Sequence, residues 1–321
     1  MTIKALYPTV RPTLNLDFAK TKALDPRITF TRASTATFVG ADGLIQTAAS
    51  GAPRFDHNPA TGESLGLLVE EARTNLLLNS ATLSTQSATV TATSTTLSFY
   101  GTGTVTLTGV STAGPLVGAG ASNRVSLTFT PTAGSLTLTV SGSVTNAQLE
   151  AGSFPTSYIP TTTATVTRAA DVASMTGTNF SSWYRQDEGT FLGKGRQTYT
   201  TPNQFESLIT VGGYPNRTWS WAIIGNNNTW NVGTDGLNTG SFYTGLTPNV
   251  PFSFNVAQAQ ENNQSVAVAD GVIKESATPS QILYTNAGGL SIGNKYDGHI
   301  ARLAFYPVRL PDAQLQALTA T

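Results

Sequence analysis

The feature that most constrains this chain is a strict two-residue alternation in a stretch almost without charge. Val105-Thr106-Leu107-Thr108-Gly109-Val110, Val125-Ser126-Leu127-Thr128-Phe129-Thr130 and Leu136-Thr137-Leu138-Thr139-Val140 place apolar residues at every second position. In extended backbone, successive side chains point to opposite faces, so such text buries one face and leaves the other to water. Threonine is β-branched and suits the outward positions. Residues 80–167 carry only two formal charges, Arg124 and Glu150. Their Ser/Thr content alone reads as a linker, but a linker has no reason to alternate. Gly101, Gly103, Gly109, Gly114, Gly134 and Gly142 punctuate the runs. Residues 80–167 are therefore expected to form a small β-sandwich of antiparallel strands.

Residues 168–321 hold all four tryptophans and a series of closely spaced strand candidates. These run Gly189 to Leu192, Ser207 to Val211, Thr218 to Ile224, Thr229 to Val232, Phe252 to Gln258, Ser265 to Val268, Leu290 to Ile292 and His299 to Tyr306. Gly212-Gly213, Asn226-Asn227-Asn228, Asp235-Gly236 and Asp270-Gly271 supply turns between them. Many short strands with regular turns indicate a sandwich or jelly roll. Asp-Gly in Ala269-Asp270-Gly271-Val272 fits a tight hairpin. Pro311 to Leu318 predicts a short helix that caps the sandwich, with Leu315 and Leu318 on one face. Residues 1–79 contain short apolar runs, Leu14 to Leu16, Ile28 to Phe30 and Leu65 to Val69, between turn-rich segments. Their apolar content is too thin for a separate core. This zone is expected to pack against the rest of the chain or against neighbouring subunits.

The expected architecture is all-β: tandem antiparallel β-sandwich (jelly-roll) modules at 80–167 and 168–321, an extended N-terminal region at 1–79, and a short C-terminal helix. Bulk composition narrows the function. Charged residues make up 11% and the formal net charge is zero, where nucleic-acid binding asks for a basic surplus. Aromatics at 9% argue against wholesale disorder. With no cysteine, disulfides and thiolate chemistry are excluded. No run reaches the length of a membrane-spanning helix, and the opening Met1 to Leu14 does not read as a signal peptide.

Three stretches carry a resemblance. Residues 146–171, NAQLEAGSFPTSYIPTTTATVTRAAD, resemble a segment that recurs in tail-fibre and other surface proteins of tailed bacteriophages. There it closes a jelly roll similar to carbohydrate-binding modules. Residues 28–79 resemble the N-terminal region of the same group. Residues 290–320 are similar to the last strands and closing helix of laminin-G or concanavalin-like jelly rolls. The resemblance implies a virion location, assembly with other virion proteins and like subunits as an oligomer (a trimer in many phage fibres), and a non-catalytic role on the tail or capsid surface. It also makes Arg54, Asp56, His57, Glu70 and Arg73 candidates for docking to neighbours.

Catalytic chemistry is hard to find. His57 and His299 are the only histidines, each reading as a turn or strand-edge residue. No HExxH or Gly-x-Ser-x-Gly occurs. Glycoside hydrolysis needs two carboxylates across a cleft. The acids of the last zone are scattered, and Asp270 is committed to its turn. No metal or other cofactor is expected, although Asp235 or Asp297 could contribute to a calcium site. Sugar binding is the more specific alternative, because sugar C–H faces stack on aromatic rings while hydroxyls pair with amides. Tyr214, Trp219, Trp221, Asn228 and Trp230 are the candidates, with Trp219 and Trp221, on one strand face with Ile223, reading first as core. Tyr214 and Trp230 lie among turns and asparagines and read as the exposed pair. The expected function is thus a non-enzymatic structural protein on a phage exterior. The alternative is a lectin-like adhesin that contacts host polysaccharide, or less plainly a depolymerase.

Overall fold

The computed structural model describes residues 7–198, 205–212, 219–224, 229–234, 237–244, 246–247, 250–261, 264–277 and 288–320. The fold is all-β, built of antiparallel sheets, with a short helix at Asp312–Thr319. No helix among the described residues is long and apolar enough to cross a membrane.

The chain divides into two compact units, and the division does not follow the order of the sequence. One unit comprises Met1–Thr31, Ala52–Glu70 and Asp171–Thr321; the other comprises Arg32–Gly51 and Glu71–Ala170. The first 79 residues thus supply strands to both. Strand pairing is non-local, so short apolar runs too thin for a core of their own are stabilised by completing sheets begun elsewhere.

In the smaller unit, strands Gln86–Val90, Thr104–Gly109, Leu116–Val117 and Gly134–Ser141 form one sheet, and Thr95–Gly101, Gly120–Phe129 and Val144–Ala151 form another. The alternation read from the sequence is realised. Val105, Leu107, Leu136 and Leu138 are buried, while Thr106 and Thr108 are exposed. The register sets Leu107 opposite Leu138 and Thr106 opposite Thr139. The core is aliphatic apart from Phe99 and Phe129.

The larger unit is a sandwich of two broad sheets. One contains strands Val272–Ala277, Gln264–Ala269, Phe252–Glu261, Glu188–Gln197, Gly298–Tyr306, Ser64–Val69 and Arg54–His57 in that order, with Leu14–Asp17 also paired to Gly298–Tyr306. The other runs Thr29–Thr31, Val172–Thr176, Gly289–Asn294, Phe205–Val211, Trp219–Ile224, Trp230–Thr234 and Leu237–Tyr243. The Asp270-Gly271 hairpin is present, with both residues at positive φ (49° and 75°), the conformation that favours this dipeptide. The helix lays Leu315 over Leu192, Ala257, Val266, Val268 and Ala304 on the outer face of the first sheet. Leu310, just ahead of the helix, joins the same cluster.

Candidate functional site

The aromatic candidates fall in the core. Trp219, Trp221 and Trp230 are each at most 1% exposed. Trp219 donates its indole N–H to the Tyr184 hydroxyl (3.0 Å), and Trp221 donates to Gln258 Oε1 (2.6 Å). Trp230 is enclosed by Phe242, Phe252, Phe254 and Tyr243, with ring centroids 4.6–5.9 Å away. A ring packed on both faces has none to offer a sugar, so the core reading holds for Trp219 and Trp221 and extends to Trp230. Asparagine-rich text on either side of Trp230 marked turns in the chain but not the direction of the ring. Tyr214 and Asn228 lie outside the described residues, as does Asp235.

The docking candidates are also interior. Arg54 is fully buried; its guanidinium donates to Glu70 (2.7 Å) and Asp171 (2.5 Å). Burial opposes its charge, but the Glu70 and Asp171 carboxylates outweigh this and hold the guanidinium above its usual range. Asp56 pairs with His299 Nε2 at 2.7 Å, and His57 is 5% exposed. Arg73 lies in the smaller unit. It pairs with Glu71, donates to the Ala151 carbonyl and covers the Phe154 ring at 4.7 Å. The resemblance made these five candidates for contact with neighbours. Within the chain, the pairing of Asp56 with His299 spans 243 positions.

The segment that carries the phage resemblance holds itself in place. Glu150 accepts from the Thr156 amide (2.9 Å), the Thr156 hydroxyl (2.7 Å) and the Gln148 amide (2.5 Å). Gln148 Oε1 in turn accepts from Ile159 N at 2.6 Å. Arg124 donates to the Thr156 carbonyl (2.5 Å) and to Ser98 (2.8 Å), so both formal charges of the threonine-rich zone serve one loop. From the other resembling stretch, Asn75 donates to the carbonyls of Ala147 (3.0 Å) and Ile159 (2.8 Å).

A groove of about 630 Å³ lies on the outer face of the larger unit's first sheet. Its floor is strand Glu188–Gln197 paired with Phe252–Glu261. Register places Lys194 opposite Asn255 and Arg196 opposite Ser253, and all four line the groove. Lys194 and Arg196 are exposed and point to the same side because they are two residues apart on a strand. Between them, a Cβ on Gly195 would meet the His299 carbonyl at 2.2 Å and the Phe254 ring at 2.8 Å. Only glycine lets the strands approach this closely. The partner strand bulges here, since Lys194 pairs with Arg302 and Gly195 with Ile300, leaving Ala301 as an extra residue in the groove.

The walls come from two turns. Asn58 closes the 58–63 turn, accepting from Ala60 N at 2.9 Å, and this turn presents Asn58 and Glu63. The Asp270 hairpin forms the other side. Asp270 accepts from the Tyr243 hydroxyl at 2.9 Å. Burial, reinforced by the Asp270 carboxylate, pushes the Tyr243 phenol above its ordinary range, so it stays a donor. The sequence held one signal of this site, the Lys-Gly-Arg text at 194–196. The strand expected at Gly189 to Leu192 stopped just before it.

Among the described residues, His299 Nδ1 is buried without a hydrogen-bond partner, so no described hydroxyl completes its arrangement with Asp56. Among the described residues, no group of three or more His, Asp or Glu could hold a metal ion.

No protein-family model matches the chain, and no curated protein matches it. Solved structures give partial overlaps. A Ruminococcus gnavus IT-sialidase CBM40 bound to alpha2,3 sialyllactose is 18% identical, with a TM-score of 0.33, over 42% of this chain and 84% of that one. Trypanosoma rangeli sialidase with the inhibitor DANA is 13% identical, with a TM-score of 0.35, over 47% of this chain and 26% of that one. NanB sialidase from Streptococcus pneumoniae is 13% identical, with a TM-score of 0.37, over 46% of this chain and 26% of that one. The chain spans about a quarter of those two sialidases. The all-β assignment rests on the sheets themselves.

Proposed function

We propose that this is a non-catalytic, glycan-binding β-sandwich protein, displayed on the exterior of a tailed-phage particle, and that the groove floored by Lys194, Arg196, Ser253 and Asn255 is its binding site. The groove carries the binding half of this reading. It offers amide, hydroxyl, carboxylate and cationic groups from rigid strands, in a concavity of about 630 Å³ that suits a short oligosaccharide. The resemblance of residues 28–79 and 146–171 carries the location half; the structural comparisons do not bear on a virion.

Titrating the full chain against a glycan panel tests the first half. Millimolar-to-micromolar binding, about 4–8 kcal/mol, is expected, weakened by Asn255→Ala. A panel with no ligand overturns it. Immunogold labelling of purified particles tests the second, with label on the particle exterior expected. Deleting residues 1–79 is a poor test, because strands such as Leu14–Asp17 and Ser64–Val69 belong to the larger unit's own sheet.

A second reading follows from one observation: Glu63 and Asp270 line the same groove. Two carboxylates across a cleft are the minimum for glycoside hydrolysis. Release of oligosaccharides from a bound polysaccharide, abolished in Glu63→Gln, would favour it over simple binding.

A further inference from the structure

We infer that the groove selects a carboxylate-bearing saccharide, with Lys194 and Arg196 receiving the carboxylate. This rests on the glycan-binding reading of the same groove and goes on to name the ligand class.

The observation that carries it is that two exposed cations of this charge-poor chain stand together on the floor of one groove. The chain has 18 Lys and Arg in 321 residues. Arg27 is paired to Asp25, Arg54 to Glu70 and Asp171, Arg73 to Glu71, Arg185 to Asp187 and Glu188, and Arg309 to Asp312. Arg32, Arg124 and Arg168 donate to main-chain carbonyls. Lys194 and Arg196 stand side by side in a groove, exposed, and neither side chain forms an ion pair or hydrogen bond with a described residue. His299, the cross-strand partner of Arg196, pairs with Asp56 at 2.7 Å, so that carboxylate is already engaged.

The geometry suits one anion flanked by neutral contacts. Residues two apart on a strand are separated by about 7 Å, so a lysine and an arginine there can converge on a single carboxylate. Ser253 and Asn255 stand opposite them and can pair with ring hydroxyls. Glu63 and Asp270 sit at the walls; they repel an anion and accept from hydroxyls. The groove is therefore polarised, cationic on its floor and acidic at its rims. A ligand with its carboxylate down and hydroxyls outward fits that polarity. A neutral sugar leaves both cations unmatched, and a continuous polyanion would meet the two acids.

The test uses the full chain and calorimetric titration. The probes are a hexuronate oligosaccharide, a sialylated oligosaccharide and the methyl ester of each. The acid form of one or both is expected to bind, with esterification weakening it about tenfold or more and added salt weakening it further. The preferred acid identifies the source of the carboxylate. Lys194→Gln and Arg196→Gln are exposed substitutions, checked for folding by circular dichroism. Each is expected to shrink the gap between acid and ester, a coupling that a purely structural role would not produce. Equal binding of acid and ester, or binding confined to neutral, sulfated or phosphorylated sugars in the wider panel, overturns the inference and leaves the groove as a glycan site. Absence of any glycan ligand overturns both.

Discussion

The two sandwich units satisfy their most buried acids in different ways. The smaller one satisfies its one fully buried acid with neutral donors, Glu150 accepting from the Thr156 amide and hydroxyl and from Gln148, and keeps the Arg73–Glu71 pair nearer its surface. Its core is built mostly from Leu, Val and Ala. The larger one sets charge against charge, with Arg54 between Glu70 and Asp171, and fills its core with stacked and edge-on aromatics. Removing one donor from the first weakens a set of hydrogen bonds, whereas removing the cation from the second leaves uncompensated buried charge. The two units should therefore respond differently to removal of a single group.

The largest effects are expected where the larger unit loses a cation or a ring. Arg54→Met leaves two buried carboxylates without their cation and should cost about 3–5 kcal/mol. Restoring neutrality with Glu70→Gln and Asp171→Asn in the same chain should recover part of this, and thermal melts of the two variants measure the difference. The raised value of Arg54 means its contribution is fully present below the unfolded arginine range and is lost only above it. No loss through this group is expected at ordinary pH. Trp230→Ala removes a ring packed by four others and should cost about 3–5 kcal/mol. If Trp230→Ala instead abolished glycan binding in a chain of unchanged stability, the ring would be a contact and its burial in the core would be in error.

The smaller unit should lose less for each change. Leu138→Ala empties a fully buried site in an aliphatic core, at about 2–5 kcal/mol. Glu150→Gln keeps the shape but sets an amide donor against the Gln148 and Thr156 donors, at about 1–3 kcal/mol. Chemical denaturation of both variants checks that order. A Glu150→Gln loss equal to that of Arg54→Met would erase the contrast between the units.

The same contrast explains what could be read in the sequence. Val105 to Val110 and Leu136 to Val140 were legible because a half-buried strand writes its burial into every second residue. The Asp270-Gly271 turn and the helix ending in Leu318 were legible for equally local reasons. Strand Thr95–Gly101 was not. Its hydroxyl face is buried too, with Thr96 bound to the Gly152 carbonyl (2.8 Å) and Ser98 to Arg124 (2.8 Å), so its polar residues do not mark solvent. Long-range ionic partners such as Arg54 and Asp171, 117 positions apart, leave no periodic trace. The groove was missed for a related reason. Its floor is two paired strands, Lys194-Gly195-Arg196 against Ser253-Phe254-Asn255, and its walls are turns from distant segments.

The smallest expected effect concerns a pair at the surface of the larger unit. Arg185 donates to Asp187 at 2.7 and 2.8 Å, the same chemistry as the Arg54 cluster but open to water. That hydrogen bond holds the Asp187 carboxyl down at about 2. Because the folded value lies below the ordinary one of about 3.9, any stabilisation is present above that value and fades as pH falls toward 2. Solvent screening of side chains 45% and 70% exposed keeps it slight. Arg185→Ala should move the NMR titration midpoint of Asp187 up toward the ordinary carboxylate range while leaving the melting temperature at neutral pH unchanged. A fall in melting temperature comparable to that of Arg54→Met would mean that burial, and not the pairing itself, had been wrongly taken as the source of the difference between these two arginines.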